Sequence, residues 1–316
     1  MNKLTKIGVS ALCGSLASVA AANAGSMDVT GGASATYTSL SDTVVGNPLG
    51  MTTALTFTGN GELDNGSTFT VTIAHANKSA YSASAIALTT PSIGTFTYDE
   101  GGGTGIDRFD DMMPTAWEET TGTGLGTGLR SVSGAGGNTD LEWNVGVGLP
   151  EGMNVYASFA PRPDGSANAK KGTGGASTTE GNGWDVAISH NALLDGLNVF
   201  AGLSKVEQNA TLGDKDSEVY GATYAIGGLT VGYQTSEEDN VGAAGNHYDN
   251  DAYAISYSVN DDLSISYGEN NSSTNLASTS DVKAQSLQIS YTVGGASIVL
   301  AESSVDNQNY VTGTNR

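Results

Sequence analysis

Cysteine is all but missing from this 316-residue chain. The single one, Cys13, lies in an N-terminal stretch that reads as an export leader. The mature chain therefore has no thiol and no disulfide, and its stability has to come from its sheets and their surroundings. Bulky Leu12 before Cys13 argues against a lipoprotein cleavage site. Long apolar runs are absent too. None reaches the ~18–20 residues a membrane-spanning helix needs. Bases are scarce, 12 Lys and Arg against 33 Asp and Glu. That balance disfavours nucleic acid as a partner by repulsion and would concentrate cations wherever the charge lines a confined space. His75, His190 and His247 are far apart and share no ligand spacing. No G-x-S-x-G, H-E-x-x-H or P-loop occurs. Gly124-Leu125-Gly126-Thr127-Gly128 has no βαβ unit around it to make it a dinucleotide loop. No enzyme chemistry is legible.

The leader spans residues 1–24. Lys3 and Lys6 form its basic start, Ile7 to Ala22 its apolar core, and Ala22-Asn23-Ala24 a cleavage site before Gly25. All the acids lie beyond it, so the mature chain has 10 bases against 33 acids, a net charge of about −23.

What is present is alternation. Tyr253, Ile255, Tyr257 and Val259 are every second residue of one segment; Leu263, Ile265 and Tyr267 resume the beat after Asp261-Asp262. Small and polar residues fill the gaps. Period two places the apolar set on one face of a pleated strand, and the pair reads as a hairpin. The pattern recurs about fifteen times: Leu55 and Phe57; Phe69, Val71 and Ile73; Leu141, Trp143, Val145, Val147 and Leu149; Trp184, Val186 and Ile188; Leu287, Ile289, Tyr291 and Val293; and others. Short turns such as Asn65-Gly66, Asp195-Gly196, Gly227-Gly228 and Gly294-Gly295 alternate with longer polar links at about 41–48, 78–84, 100–138, 162–182, 207–217, 237–250 and 270–282. A meander with its short turns at one end and its long loops at the other produces this.

A soluble β-sandwich would bury the apolar face; a transmembrane barrel turns it to lipid and the polar face to a lumen. The strand number, the Gly, Ala, Ser and Thr of the polar face, and aromatics closing the apolar rows (Trp143, Trp184, Tyr233, Tyr267, Tyr291) favour the barrel. The expected fold is all-β, a transmembrane antiparallel up-and-down β-barrel. Such barrels close on an even count, so sixteen strands are expected, of which about fifteen are present. Tyr310 and Val311 hint at a further strand before the chain stops at Arg316, and the sequence reads as lacking its last strand.

With its leader, strand number, loop alternation and a longest link of about 39 residues in third place, the chain resembles the Gram-negative general porins, particularly the α-proteobacterial type. The resemblance covers nearly all of residues 25–316 by pattern, not by a diagnostic motif. It implies an outer-membrane channel, usually a homotrimer among lipid and lipopolysaccharide, passing small hydrophilic solutes and cations by passive diffusion with no required cofactor. It also implies that 100–138 folds inward as a constriction loop.

On that reading Ile106, Phe109, Met112, Met113 and Trp117 seat the loop against the inner wall, and Asp107, Asp110, Asp111, Glu118 and Glu119 point into the aperture. A carboxylate ring in a narrow passage favours cations. Arg108 and Arg130 complete the expected constriction set. Asp107, Asp110 and Asp111 are also candidates for calcium, although their spacing is not that of an EF-hand. Asp214-Lys215-Asp216 and Glu237-Glu238-Asp239 read as solvated loop charges. The family usually sets an arginine cluster opposite the acidic loop. Here no base lies between Lys6 and Lys78, and those remaining, among them Lys205, Lys283, Arg162, Lys170 and Lys171, are scattered. The alternative function is a secreted or surface structural β-protein, adhesin-like. It would be marked by fixed-period repeats, and none is found.

Overall fold

The computed structural model describes residues 25–39, 48–77, 83–100, 103–135, 139–161, 180–277 and 279–316. The expected leader, the links near 41–48 and 78–84, and most of 162–182 with Arg162, Lys170 and Lys171 lie outside the described residues.

The strands are β1 (Gly25–Tyr37), β2 (Leu49–Glu62), β3 (Thr68–Ala76), β4 (Ala83–Thr90), β5 (Gly94–Glu100), β6 (Thr139–Asn144), β7 (Met153–Pro161), β8 (Glu180–His190), β9 (Leu197–Gln208), β10 (Lys215–Ile226), β11 (Leu229–Asp239), β12 (His247–Ser258), β13 (Leu263–Thr274), β14 (Val282–Val293) and β15 (Ala296–Asp306). They form one sheet in chain order, and every neighbouring pair is antiparallel. No helix among the described residues is long and apolar enough to cross a membrane.

Register keeps the two faces distinct, because residues directly opposite one another share a face. One row runs Val231, Ile255, Tyr267, Leu287 across four strands, and each of the four is 40–51% exposed. Another runs Glu142, Ser158, Asp185, Ser204, Ser217, Glu238 from β6 to β11, and all six are buried. A water-soluble domain buries the apolar row. Here the polar row is buried, and the large exposed side chains include Trp143, Trp184, Tyr233, Tyr253, Ile289 and Leu300. That inversion is the signature of a sheet whose apolar face meets lipid.

The sheet is curled. Ala135 N lies 2.9 Å from Asp185 on β8, and Thr127 O lies 3.0 Å from Asn309 N, just beyond β15. The chain from 127 to 135 spans at most roughly 29 Å, whereas β8 and β15 would stand about 33 Å apart in a flat sheet.

Three expectations need correction. The sixth strand ends at Asn144, so Val145, Val147 and Leu149 lie outside it. Gly146 and Gly148 take left-handed conformations there, with φ of 49° and 75°, and turn the chain out of the ladder. The links expected at 237–250 and 270–282 are shorter than their polar stretches suggest, because β11 runs to Asp239, β12 starts at His247 and β13 runs to Thr274. Backbone pairing does not need apolar side chains, and the ladder continues past the lipid-facing rows. Tyr310 is not in a strand either: it closes a 3-10 turn, Gln308–Tyr310. Beyond it Val305 and Arg316 exchange both backbone hydrogen bonds at 2.8 Å, an antiparallel pair on the side of β15 away from β14.

Candidate functional site

The segment after β5 crosses the polar face of the sheet. Its first turn, the 3-10 helix Gly105–Phe109, buries Ile106 and Phe109 against Val132, Ala187, Phe200 and Val219, with Met112 and Met113 packed alongside. The Phe109 and Phe200 rings stack at 4.9 Å. Burying the two side chains contributes roughly 3–6 kcal/mol. Four of the five apolar loop residues thus do what the sequence suggests. The fifth, Trp117, is fixed through its backbone: Gln288 on β14 accepts from the amides of Trp117 and Glu118 and donates to the Glu118 carbonyl. Ser266 on β13 accepts from Ala116 N at 2.8 Å.

Three carboxylates of the polar face hold the root of the loop. Glu142 accepts from Gly105 N at 2.8 Å, from Ser158 at 3.0 Å and from Arg108. Asp185 accepts from Ile106 N at 3.2 Å on the outgoing limb and from Ala135 N at 2.9 Å on the returning one. Asp140 accepts from the Thr104 hydroxyl. Gly105 is needed here: its φ is 59°, and a Cβ would run into the Asp185 carboxylate. Sequence reasoning missed Asp140, Asp185 and Gln288 and gave Glu142 no role. The signal was an acid or amide on an otherwise small, polar strand face, as at Asp140 and Glu142, two residues apart.

The two loop arginines are taken up by the wall. Arg108 pairs with Glu142, donates from Nε to the Gly105 carbonyl at 2.9 Å, and lies 3.5 Å over the Tyr156 ring. Arg130 pairs with buried Glu238 at 2.7 Å and sits 5.3 Å from the Tyr248 ring. Glu238 is therefore no solvated loop charge. It lies on β11, turned to the polar face, whereas Asp214 lies in a loop and binds half-buried Lys205 at 2.9 Å.

Five acidic loop residues remain. Asp107 accepts from Gly103 N at 3.0 Å and Asp110 from Ser131 at 2.7 Å. Burial raises the pKa of Asp107, Asp110 and Glu118, and the Asp111 charge adds to it. Glu119, partly buried and beside Asp111 and Glu118, is pushed up to about 7. Asp107, Asp110 and Asp111 do not bring three ligand atoms within 4.8 Å of one another; among the described residues the trio that does is Glu237, His247 and Asp249, two carboxylates and a ring nitrogen at the far ends of β11 and β12. There His247 bridges Asp239 and Asp249 at 2.7 and 3.0 Å.

The loop contacts above fall on β6 to β14; the polar face of β1 to β5 is a separate stretch of wall. Its rows are Thr52, Ala54, Thr56 and Thr58 on β2, Thr68, Thr70 and Thr72 on β3, and Thr95 and Thr97 on β5. None of these five strands carries a Lys or Arg. Lys205 is paired opposite Trp184, and Lys283 lies between buried Val282 and Ala284, so both stand on the apolar face. Lys215 opens β10 on the polar face, opposite Val206. Toward the short-turn end, Asp111, Met113, Thr115, Glu151, Asn198 and Ser256 are among the residues lining a cavity of about 950 Å³.

A sequence model described as Gram-negative porin matches residues 8–310. No curated protein sequence matches. Among solved structures the chain is similar to Salmonella typhi OmpF in complex with daunomycin, at 14% identity over 92% of this chain and 95% of that one, with a TM-score of 0.69. It is similar to OmpT of Vibrio cholerae in a trimer form, at 15% identity over 90% and 89%, with a TM-score of 0.63. An anion-selective porin from Comamonas acidovorans matches at 12% identity over 82% of each chain, with a TM-score of 0.59. At these identities the likeness to solved structures shows the fold; the family comes from the sequence match.

Proposed function

This chain belongs to the Gram-negative porin family, and on that premise we propose that it is a cation-preferring outer-membrane channel whose aperture is set by residues 103–135. The family and fold are those of outer-membrane channels, which typically carry no catalysis. The finer reading rests on one observation. Asp107, Asp110, Asp111, Glu118 and Glu119 lie on a loop whose two arginines are engaged by wall carboxylates, while β1 to β5 offer no base to oppose them. Charge of one sign in a confined passage raises the local concentration of the opposite ion. The fold does not set the sign, since a porin described as anion-selective shares it.

Small hydrophilic solutes pass by diffusion through the hydroxyl-lined space between the loop and β1 to β5. The apolar rows face lipid, with lipopolysaccharide at the long-loop end. A homotrimer is the assembly we propose, supported by the structurally similar OmpT in a trimer form. Full-length protein in a planar bilayer under a salt gradient tests the central reading. A reversal potential on the cation side is expected, and one at zero or on the anion side rejects it.

A further inference from the structure

The returning limb of the loop is held from the far end of the sheet. Residues 307–315, after β15, form a tight turn knit by its own bonds: Gln308 N to Thr314 O at 2.8 Å, the Thr314 hydroxyl to Gln308 O at 2.9 Å, and Gly313 N to the Asn307 side chain at 2.9 Å. Asn307, Asn309 and Tyr310 all have positive φ, between 54° and 62°. Three non-glycine residues in that region within four positions are uncommon, and such backbone persists where surrounding contacts over-determine it.

Some of those contacts go to the link before β14, where Tyr310 O accepts from Ser280 N at 3.1 Å and Asn307 Nδ2 donates to Asp281 O at 2.9 Å; the rest reach the loop limb or the wall behind it. Gln308 Nε2 donates to the carbonyls of Leu125 and Gly126. Asn309 N donates to Thr127 O at 3.0 Å. The Tyr310 hydroxyl accepts from Arg130 N at 3.1 Å and lies 2.6 Å from Ser272 Oγ. Because Ser272 donates to Asn250, the phenol is the donor to Ser272, and the chain of bonds from Arg130 to Asn250 is consistent in direction. The ring is buried with Leu125, Val282 and Val305 and meets Tyr248 edge-on at 5.5 Å. Arg130 is thus held twice, by Tyr310 at its backbone and by Glu238 at its guanidinium.

We propose that residues 307–315 are a strap that fixes the limb 125–130, with Tyr310 the positioning residue that keeps the aperture at one width. The proposal rests on reading 103–135 as the constriction of a channel. Its test is single-channel recording of the full-length protein with Tyr310→Phe and Tyr310→Ala. Removing the hydroxyl leaves Arg130 N without its partner. The fraction of time spent in brief closures should then rise about five-fold, the order a lost hydrogen bond of this kind gives. Tyr310→Ala should raise it further and add open-channel noise, with strand content unchanged. Tyr310→Phe keeps the ring and tests the strap even where Tyr310→Ala does not fold. A Tyr310→Phe channel as quiet as the unsubstituted one overturns the strap and leaves the channel reading standing. No current from the unsubstituted protein overturns the channel reading, and the strap with it.

Discussion

Replacing Asp185 by Ala removes a carboxylate that binds both limbs of the loop. Its carboxylate accepts from Ile106 N at 3.2 Å and Ala135 N at 2.9 Å, and Ile106, Ala135 and Asp185 are each at most 1% exposed. Water does not replace the lost acceptor, so two buried donors go unpaired at about 1–3 kcal/mol each. Removing a charge from the neighbourhood of Asp140 and Glu142 returns part of that. A net loss of about 2–4 kcal/mol in loop docking is expected, which is roughly 30- to 1000-fold in the closed-to-open ratio of the loop. Amide hydrogen exchange on protein refolded into detergent reads this directly, since the Ile106 and Ala135 amides should lose protection together while strand amides keep theirs. Asp185→Asn retains one oxygen acceptor and should lose less. Unchanged protection at both amides in Asp185→Ala would refute the claim that this carboxylate anchors the loop.

Other outcomes follow from the same geometry. Glu119, with its pKa raised to about 7, is neutral below that pH and charged above it. Cation preference should therefore increase as pH rises through about 7, and Glu119→Gln should flatten the profile; reversal potentials across that range decide it. Ile255 lies in a lipid-facing row and is 42% exposed. Ile255→Lys should cost about 2–4 kcal/mol if that row lies near the bilayer midplane, measured as a shifted urea midpoint for refolding into vesicles. On a face that meets water the same change would be nearly neutral.

The element order was legible because each hairpin carries its own signal. Alternation identifies strand and face residue by residue, as at Tyr253 to Tyr267, and the turn dipeptides separate the strands. The loop was legible in part. Its apolar residues Ile106, Phe109, Met112 and Met113 have no use in a wholly solvated segment. Strand 6 was overextended because Val147 and Leu149 keep the beat, although Gly146 and Gly148 had already bent the backbone. The division of labour among the charges was not legible. Arg108 and Arg130 read as members of the constriction, and nothing in the sequence told that both are bound to wall carboxylates. Glu238 reads as a solvated charge and is buried.

By itself the sequence determined the strands, their faces and the long loop between β5 and β6. Period two and turn chemistry are local, and local rules act before the chain has folded. Tertiary structure alone decided which carboxylates anchor the loop, because Glu142, Asp185 and Glu238 meet partners 34, 79 and 108 residues away. It also brought Tyr310 to Arg130 across 180 residues. Such pairings depend on how the sheet curls, and the curl is a property of all fifteen strands together.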